Sequence, residues 1–167
     1  MDRCLICREM NERDLDDVMR IERAVFKRHW TEEFFRLILS DMNNYIITLR
    51  DRDLIGYGGY HLLKNSSNFL HIQKIYPRII HLISIAINPG FQHRGFGTML
   101  MNMLMNDALS KKAGYCYLEV RPSNMRALSF YQSRSFSIIG FIENYYAQEH
   151  ENAYVMGKEI TPRLNRL

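Results

Sequence analysis

Apolar and polar positions divide the chain into short segments, each with its own period. Residues 4–9 alternate and predict a first strand. Asn11 is placed to cap a helix carrying Leu15, Val18, Met19, Ile21 and Val25 on one face. Thr31 caps a second, with Glu32 and Glu33 in its first turn and Phe34, Phe35, Ile38 and Leu39 as its apolar stripe. Residues 44–49 and 54–63 read as strands joined by a polar connection, residues 50–53. Gly56, Gly58 and Gly59 lie inside the second strand, which predicts a bulge or a second backbone passing close by. Residues 65–68 form a turn, residues 69–76 a strand or an ordered loop, and Pro77 interrupts them. Residues 79–87 are apolar enough for a strand covered on both faces, which belongs in the middle of a sheet. Met99, Leu100, Met103, Leu104, Ala108 and Leu109 recur at helical spacing, and Lys111-Lys112-Ala113-Gly114 supplies a basic last turn and a glycine stop. A strand at 115–120, a short helix capped by Ser123 or Asn124 and running to 133, and strands at 136–144 and 153–159 complete the order β-α-α-β-β-β-α-β-α-β-β, without internal repeat.

At 167 residues the chain has the size of one domain, and no linker interrupts it. An apolar share of 47% beside 24% charged residues fits a soluble globule, and no apolar run reaches bilayer length. The polar start Met1-Asp2-Arg3-Cys4 does not resemble a secretory signal, so the expected compartment is the cytoplasm. Three cysteines cannot all pair, and Cys4 and Cys7, though spaced C-x-x-C, have no second Cys or His pair to complete a metal site; no metal is expected. A net charge of +4 hints at an anionic ligand. The basic residues are scattered without the aromatic stripe of a nucleic-acid reader, so neither nucleic acid nor membrane is expected as a partner.

The segment Gln92-His93-Arg94-Gly95-Phe96-Gly97-Thr98 changes this picture most. It joins a buried strand, broken at Asn88-Pro89-Gly90, to a helix through two glycines. Such a junction aims unpaired backbone N–H groups, at the positive end of a helix dipole, at one place and so suits a diphosphate. It lacks the Gly-Lys-Ser/Thr ending of a nucleoside triphosphate loop. It also lacks the third glycine and the downstream acid of a dinucleotide fold. A glycine-rich turn that merely starts a helix would look the same locally.

The element order, the Gln-x-x-Gly-x-Gly turn and the segment Leu118-Glu119-Val120-Arg121-Pro122-Ser123-Asn124, followed by Ala127, Tyr131 and Phe136, together resemble the GNAT acetyltransferases over nearly the whole chain. Within them, Asn144-Tyr145-Tyr146 and Asn152-Ala153-Tyr154-Val155-Met156 make the chain similar to the protein N-terminal acetyltransferases of the ribosomal-protein (RimI) and archaeal types. The resemblance implies an α/β fold of one domain over residues 1–167, the GNAT acyl-CoA N-acyltransferase fold. Its central mixed, mostly antiparallel sheet has about seven strands, splayed at the middle, with four helices. It also implies acetyl-CoA as co-substrate and protein or peptide N-termini as acceptors, among them ribosomal proteins or nascent chains, with a companion subunit in some members.

By the same resemblance the pyrophosphate is held by Gln92, His93, Arg94, Gly95, Phe96, Gly97 and Thr98, and the pantetheine pairs like an added strand along Ile85, Ala86 and Ile87. A backbone N–H at or near Ile87 would face the thioester carbonyl and stabilise its oxyanion. Glu119 matches the general base, with His81 as a second candidate, and Tyr131 matches the general acid beside the sulfur; Asn124 matches a coenzyme contact. The stretch Phe26-Lys27-Arg28 stands where relatives cover the acceptor's first residues, and Tyr145 and Tyr146 match its opposite wall. Trp30 is either tucked into the core or part of that groove; the groove reading is kept for Phe26.

Relatives commonly have proline where Lys27 stands, and one branch has a catalytic glutamate where this chain has Arg28. Ser135 replaces a glycine usual before Phe136, which disfavours a left-handed backbone there. None of the cysteines lies in a nucleophile setting, so direct attack in a ternary complex is expected. The alternatives are a small amine or lysine side chain as acceptor, and a non-catalytic acyl-CoA-binding subunit or basic nucleic-acid adaptor on the same fold.

Overall fold

The computed structural model describes residues 5–64 and 76–161. Among these run β1 (Ile6–Glu9), α1 (Leu15–Val25), α2 (Glu32–Ser40), β2 (Asn44–Arg50), β3 (Leu54–Lys64), β4 (Arg78–Ile87), α3 (Phe96–Ser110), β5 (Tyr115–Val120), α4 (Met125–Gln132), β6 (Ser137–Tyr146) and β7 (Glu151–Glu159). The strands form one mixed sheet in the order β1-β2-β3-β4-β5-β7-β6. Among the described ladders β4–β5 is parallel, while β1–β2, β2–β3, β5–β7 and β6–β7 are antiparallel. The turn and the strand or loop expected over 65–75 lie outside the described residues. The chain packs as two compact units, Met1–Leu62 with Leu82–Lys111, and Leu63–His81 with Lys112–Leu167.

In the first unit, Leu15, Val18, Met19 and Ile21 of α1 and Phe35 and Ile38 of α2 bury against Ile46, Leu54, Tyr57 and Ala86 of the strands. Asn11 caps as expected: its side chain accepts from Arg13 N, and Asp14 accepts from Asn11 N in return, starting a 3-10 turn that runs into α1. On α2 the expected stripe is narrower, because Phe34 is 40% exposed. The strand glycines are explained by close approach: a Cβ on Gly56 would lie 2.6 Å from the Ala86 carbonyl oxygen, and one on Gly58 2.7 Å from Leu104. A register shift at Leu49–Arg50 supplies a bulge as well. On α3 the buried side chains are Phe96, Leu100, Met101, Leu104, Met105 and Ala108, so Met99, Met103 and Leu109 of the expected stripe are displaced by Met101 and Met105. That helix is apolar nearly all round, and its pattern alone does not select a face.

In the second unit β5 is the middle strand, paired through Tyr115–Val120 with β7 and through Tyr115–Tyr117 with Ile79–His81 of β4. Gly114 is not the left-handed stop predicted for α3: Lys112 takes that conformation with φ 63°, and Gly114 is small because Tyr76 lies over it, 2.5 Å from where a Cβ would be. Asn124, not Ser123, caps α4 by accepting from Ala127 N at 3.1 Å. Ser135 does adopt the left-handed backbone, φ 66°. β4 is not covered on both faces along its whole length: Ile79, Ile80, Leu82 and Ala86 are buried, but His81, Ile83, Ser84, Ile85 and Ile87 are only half-buried.

Candidate active site

Pairing of β4 with β5 ends at His81–Tyr117, while β5 continues to Val120 along β7. The end of β4 is shaped by its own unit. Asn88 N donates to Ile55 O at 2.9 Å, so β-strand alternation turns the N–H and C=O of Ile87 to the other edge. The Ile87 carbonyl there accepts from the Gln92 side chain, Nε2 to O 2.9 Å, in place of a neighbouring strand. Gln92 thus fastens the loop to the strand it leaves. Asn88 accepts from Gly90 N at 3.1 Å and closes the turn between them.

The loop reaches α3 through two left-handed residues, His93 (φ 61°) and Gly95 (φ 83°). A Cβ on Gly95 would meet no atom within 4 Å, so its requirement for glycine comes from backbone conformation, and the space beside it is open. Gly95 stands at the cap of α3 without a side-chain bond to the first turn, and Met99 N donates to Gly95 O at 3.0 Å. No acid lies in that first turn, whereas α1 has Asp16 and Asp17 and α2 has Glu32 and Glu33. An uncompensated helix start with exposed His93 and Arg94 beside it suits an anion. Arg94 stacks 5.8 Å from the Phe91 ring. These residues fit the pyrophosphate role, and Ile85, Ala86 and Ile87 fit a strand edge that takes an added extended chain.

In the second unit the sequence candidates His81 and Glu119 are brought together. His81 Nε2 lies 2.5 Å from Glu119 Oε2, and the imidazole stacks on Tyr117 with centroids 4.6 Å apart and planes 4° from parallel. Alternation along β5 buries Leu118 and Val120 on one face and turns Glu119 to the other, where its side chain keeps 10% exposure and that of His81 25%. The carboxylate influences its neighbours: burial, then Glu119, push the Tyr117 phenol up to about 12, and burial, then Glu119, raise that of Tyr145. The Glu119 side chain therefore has phenols that remain protonated and an imidazole as its neighbours.

Tyr131 is packed edge-on between Phe130 and Phe136, with centroids 5.5 and 5.6 Å away. Burial, with smaller contributions from Cys116 and Tyr146, pushes its phenol well up, so it stays protonated. No hydrogen bond joins it to Glu119 or His81 among the described residues. Tyr145 is exposed and meets Tyr146 edge-on at 5.0 Å; Tyr146 lies under the Arg121 guanidinium, 3.9 Å from ring to Cζ. Burial, then Tyr145, push the Tyr146 phenol up to about 12.

Of the acceptor candidates in the first unit, Phe26 is half-buried against the core while Lys27 and Arg28 are exposed. Trp30 is also partly buried, edge-on to Phe34 at 4.8 Å and Phe35 at 5.5 Å, which places it with the core and not in a groove. The residue missed in the sequence is Glu22. It is 2% exposed, and its carboxylate accepts from the Tyr57 hydroxyl and from Trp30 N. Its signal was present: position 22 continues the spacing of Leu15, Val18 and Met19, a carboxylate on the apolar stripe. Among the described residues no three His, Cys, Asp or Glu side chains gather to hold a metal ion.

The profile described as the Acetyltransferase (GNAT) family matches residues 15–136. An N-alpha-acetyltransferase of Sulfolobus acidocaldarius is 32% identical over 150 residues, 88% of either chain. The ribosomal-protein-S18-alanine N-acetyltransferase of Escherichia coli shares the fold, with TM-score 0.77 and 21% identity over 98% of both chains. So does NAA60 of Arabidopsis thaliana, solved with a bisubstrate analogue, with TM-score 0.80 and 19% identity over 94% of this chain and 98% of that one. A glycine turn without acids, a glutamine bonded to the end of the strand it follows and a family match across most of the chain converge: the protein is a member of the GNAT acetyltransferase family.

Proposed function

We propose that the protein, working as one domain, transfers the acetyl group of acetyl-CoA to the N-terminal α-amine of proteins or peptides, by direct attack in a ternary complex. The observation that carries this reading is the His81–Glu119 pair, a proton acceptor at the last paired position of β4. Acetyl-CoA supplies a thioester whose carbonyl carbon accepts the amine.

The amine must first lose a proton. Glu119 is the principal acceptor in this reading, and His81, bonded to it, spreads the gained charge. The uncharged nitrogen then forms a bond to the thioester carbon. As the carbonyl becomes an oxyanion, the Ile87 N–H, on the β4 edge turned away from β3, donates to it. When the carbon–sulfur bond breaks, its electron pair goes to sulfur, and the Tyr131 hydroxyl gives that thiolate a proton; the nitrogen, made cationic by its new bond, loses its second proton as the amide forms, which restores the Tyr131 phenol, while Glu119 returns the first to solvent. Gln92, His93, Arg94, Gly95, Phe96, Gly97 and Thr98 hold the diphosphate; Ile85, Ala86 and Ile87 align the pantetheine, with Asn124 as a further contact. Phe26, Lys27 and Arg28 cover the acceptor's first residues, and Tyr145 and Tyr146 hold its backbone. Nascent chains or ribosomal proteins in the cytoplasm are the acceptors in this reading.

Mass spectrometry of short peptides with acetyl-CoA tests it. Peptides with free α-amines gain 42 Da at the first residue, a mass set by replacing H with COCH3, and the same peptides with blocked N-termini and an internal lysine do not. Equal labelling of blocked peptides would move the acceptor to lysine.

A further inference from the structure

The α1–α2 connection hangs on one buried carboxylate. Glu22 lies on the inner face of α1, one turn before the helix ends. Its Oε1 accepts from the Tyr57 hydroxyl of β3, and its Oε2 accepts from Trp30 N at 3.0 Å, eight residues on, at the far end of the connection. The Tyr57 oxygen also lies 3.2 Å from Ser84 Oγ on β4. Between the ends of this bridge stand Phe26, Lys27 and Arg28, the last two exposed. Phe26 N–H closes α1 by donating to Glu22 O. The Glu22 side chain therefore ties the last turn of the helix to the point where the chain returns to the core.

Hydrophobic packing does not require this arrangement. A leucine at position 22 would continue the apolar stripe, but it would take away the partner of Trp30 N and leave the Tyr57 hydroxyl with Ser84 Oγ alone. Retaining an acid here fixes the path of the connection. We propose that Glu22 is a positioning residue for the acceptor: it clamps the Phe26–Trp30 connection to β3, and the strength of the clamp sets how well the peptide binds.

The proposal rests on the acceptor reading of Phe26–Arg28 given above. The clamp also has a built-in sensitivity. Burial, against the Trp30 N–H bond and His29, pushes the Glu22 carboxyl up to about 7, so it changes charge near neutrality. An ionised carboxylate accepts a hydrogen bond about twice as strong as a neutral one, so the clamp tightens as pH rises through that value. The titratable groups facing it are Tyr57 of β3 and His29 of the connection, whose Nδ1 lies 3.1 Å from Trp30 O.

Trp30 is the single tryptophan of the chain, so intrinsic fluorescence reports on the clamped residue alone. Its emission is to be followed between pH 5.5 and 8.5 in the wild type, Glu22→Gln and His29→Gln. Steady-state kinetics then use a free-amine peptide and acetyl-CoA. A pH-dependent shift in wild type and His29→Gln, absent in Glu22→Gln, together with a severalfold higher peptide KM in Glu22→Gln and an unchanged acetyl-CoA KM, is the expected result. The glutamine keeps the shape of the side chain, and its thermal unfolding confirms that the variant is folded. A wild-type shift abolished by His29→Gln overturns the proposal. So does an emission change in Glu22→Gln with both KM values unaltered, which leaves the transferase reading standing. Failure of the wild type to acetylate any peptide, by contrast, removes the acceptor reading itself.

Discussion

Glu119 and His81, both candidates by resemblance to relatives, share one hydrogen bond of 2.5 Å in the folded chain. A base that hands charge to a second group does not need an extreme basicity of its own; it needs an uninterrupted path for the proton. Glu119→Gln keeps the size of the side chain and removes the acceptor, so kcat should fall by roughly 10²- to 10⁴-fold, the usual range for a general base. Acetyl-CoA binding measured by calorimetry should stay within a factor of about two, since the carboxylate is assigned no contact with it. A fall in affinity equal to the fall in rate would show Glu119 to be a structural support. Ser135 gives a prediction of opposite sign. It holds φ 66° without being glycine, and an L-residue there is strained by roughly 1–2 kcal/mol. Ser135→Gly should raise stability by up to about 1 kcal/mol, once glycine's larger unfolded-state entropy is subtracted, and leave kcat unchanged. Equilibrium urea unfolding measures it.

At the scale of elements, the start of α3 sets function against stability. Helix starts prefer acids, and α1 and α2 have them, but α3 has none and begins at a glycine that offers no cap. Placing an acid there, as Thr98→Glu, should strengthen the helix by about 0.3–1 kcal/mol while repelling a diphosphate at the same amides. A rise in melting temperature with at least a tenfold rise in acetyl-CoA KM is the expected pair of results; a gain in both properties would mean that no anion docks at this end. The elements also show what the letters could and could not tell. Element types were legible because α1, α2 and β5 have clear periods and Asn11, Thr31 and Asn124 are strong caps. The face of α3 was not, because methionine and leucine surround it, and neither was the stop at Lys112, because a left-handed lysine has no signature in sequence. Of the candidate site, Glu119 and Tyr131 stand out in the sequence as motif letters. The His81–Glu119 bond required the parallel register of β4 on β5, a long-range fact, and Glu22 was hidden because a charged residue on an apolar stripe is ordinarily read as surface.

For the molecule as a whole, two buried carboxylates pull the pH dependence of stability in opposite directions. Asp14, 1% exposed, would be raised by its burial, but bonds from Arg8 and from Asn11 N, with charge from Arg8 and Arg50, outweigh that and hold it below the ordinary value of 3.8. A lowered carboxyl contributes stability above its unfolded value and loses it as pH falls through the folded one, so Asp14 matters on the acid side of about pH 4. Glu22 has the opposite sign. Its folded value of about 7 stands above the unfolded 4.5, so the folded state holds a proton more tightly than the unfolded chain does. Its contribution is therefore full below 4.5 and declines as pH rises to about 7, by on the order of 3 kcal/mol if no other group moves. Between them these two carboxyls favour the fold most on the acid side of neutrality, even though the chain carries a net charge of +4 at pH 7. Urea midpoints taken from pH 4 to pH 8 should fall between about pH 4.5 and 7 in the wild type and run flat there in Glu22→Gln. A glutamine variant that keeps the full slope would locate the responsible proton elsewhere. If the slope disappears, this carboxylate lowers the stability of the fold at the pH where its bond to Trp30 N is strongest.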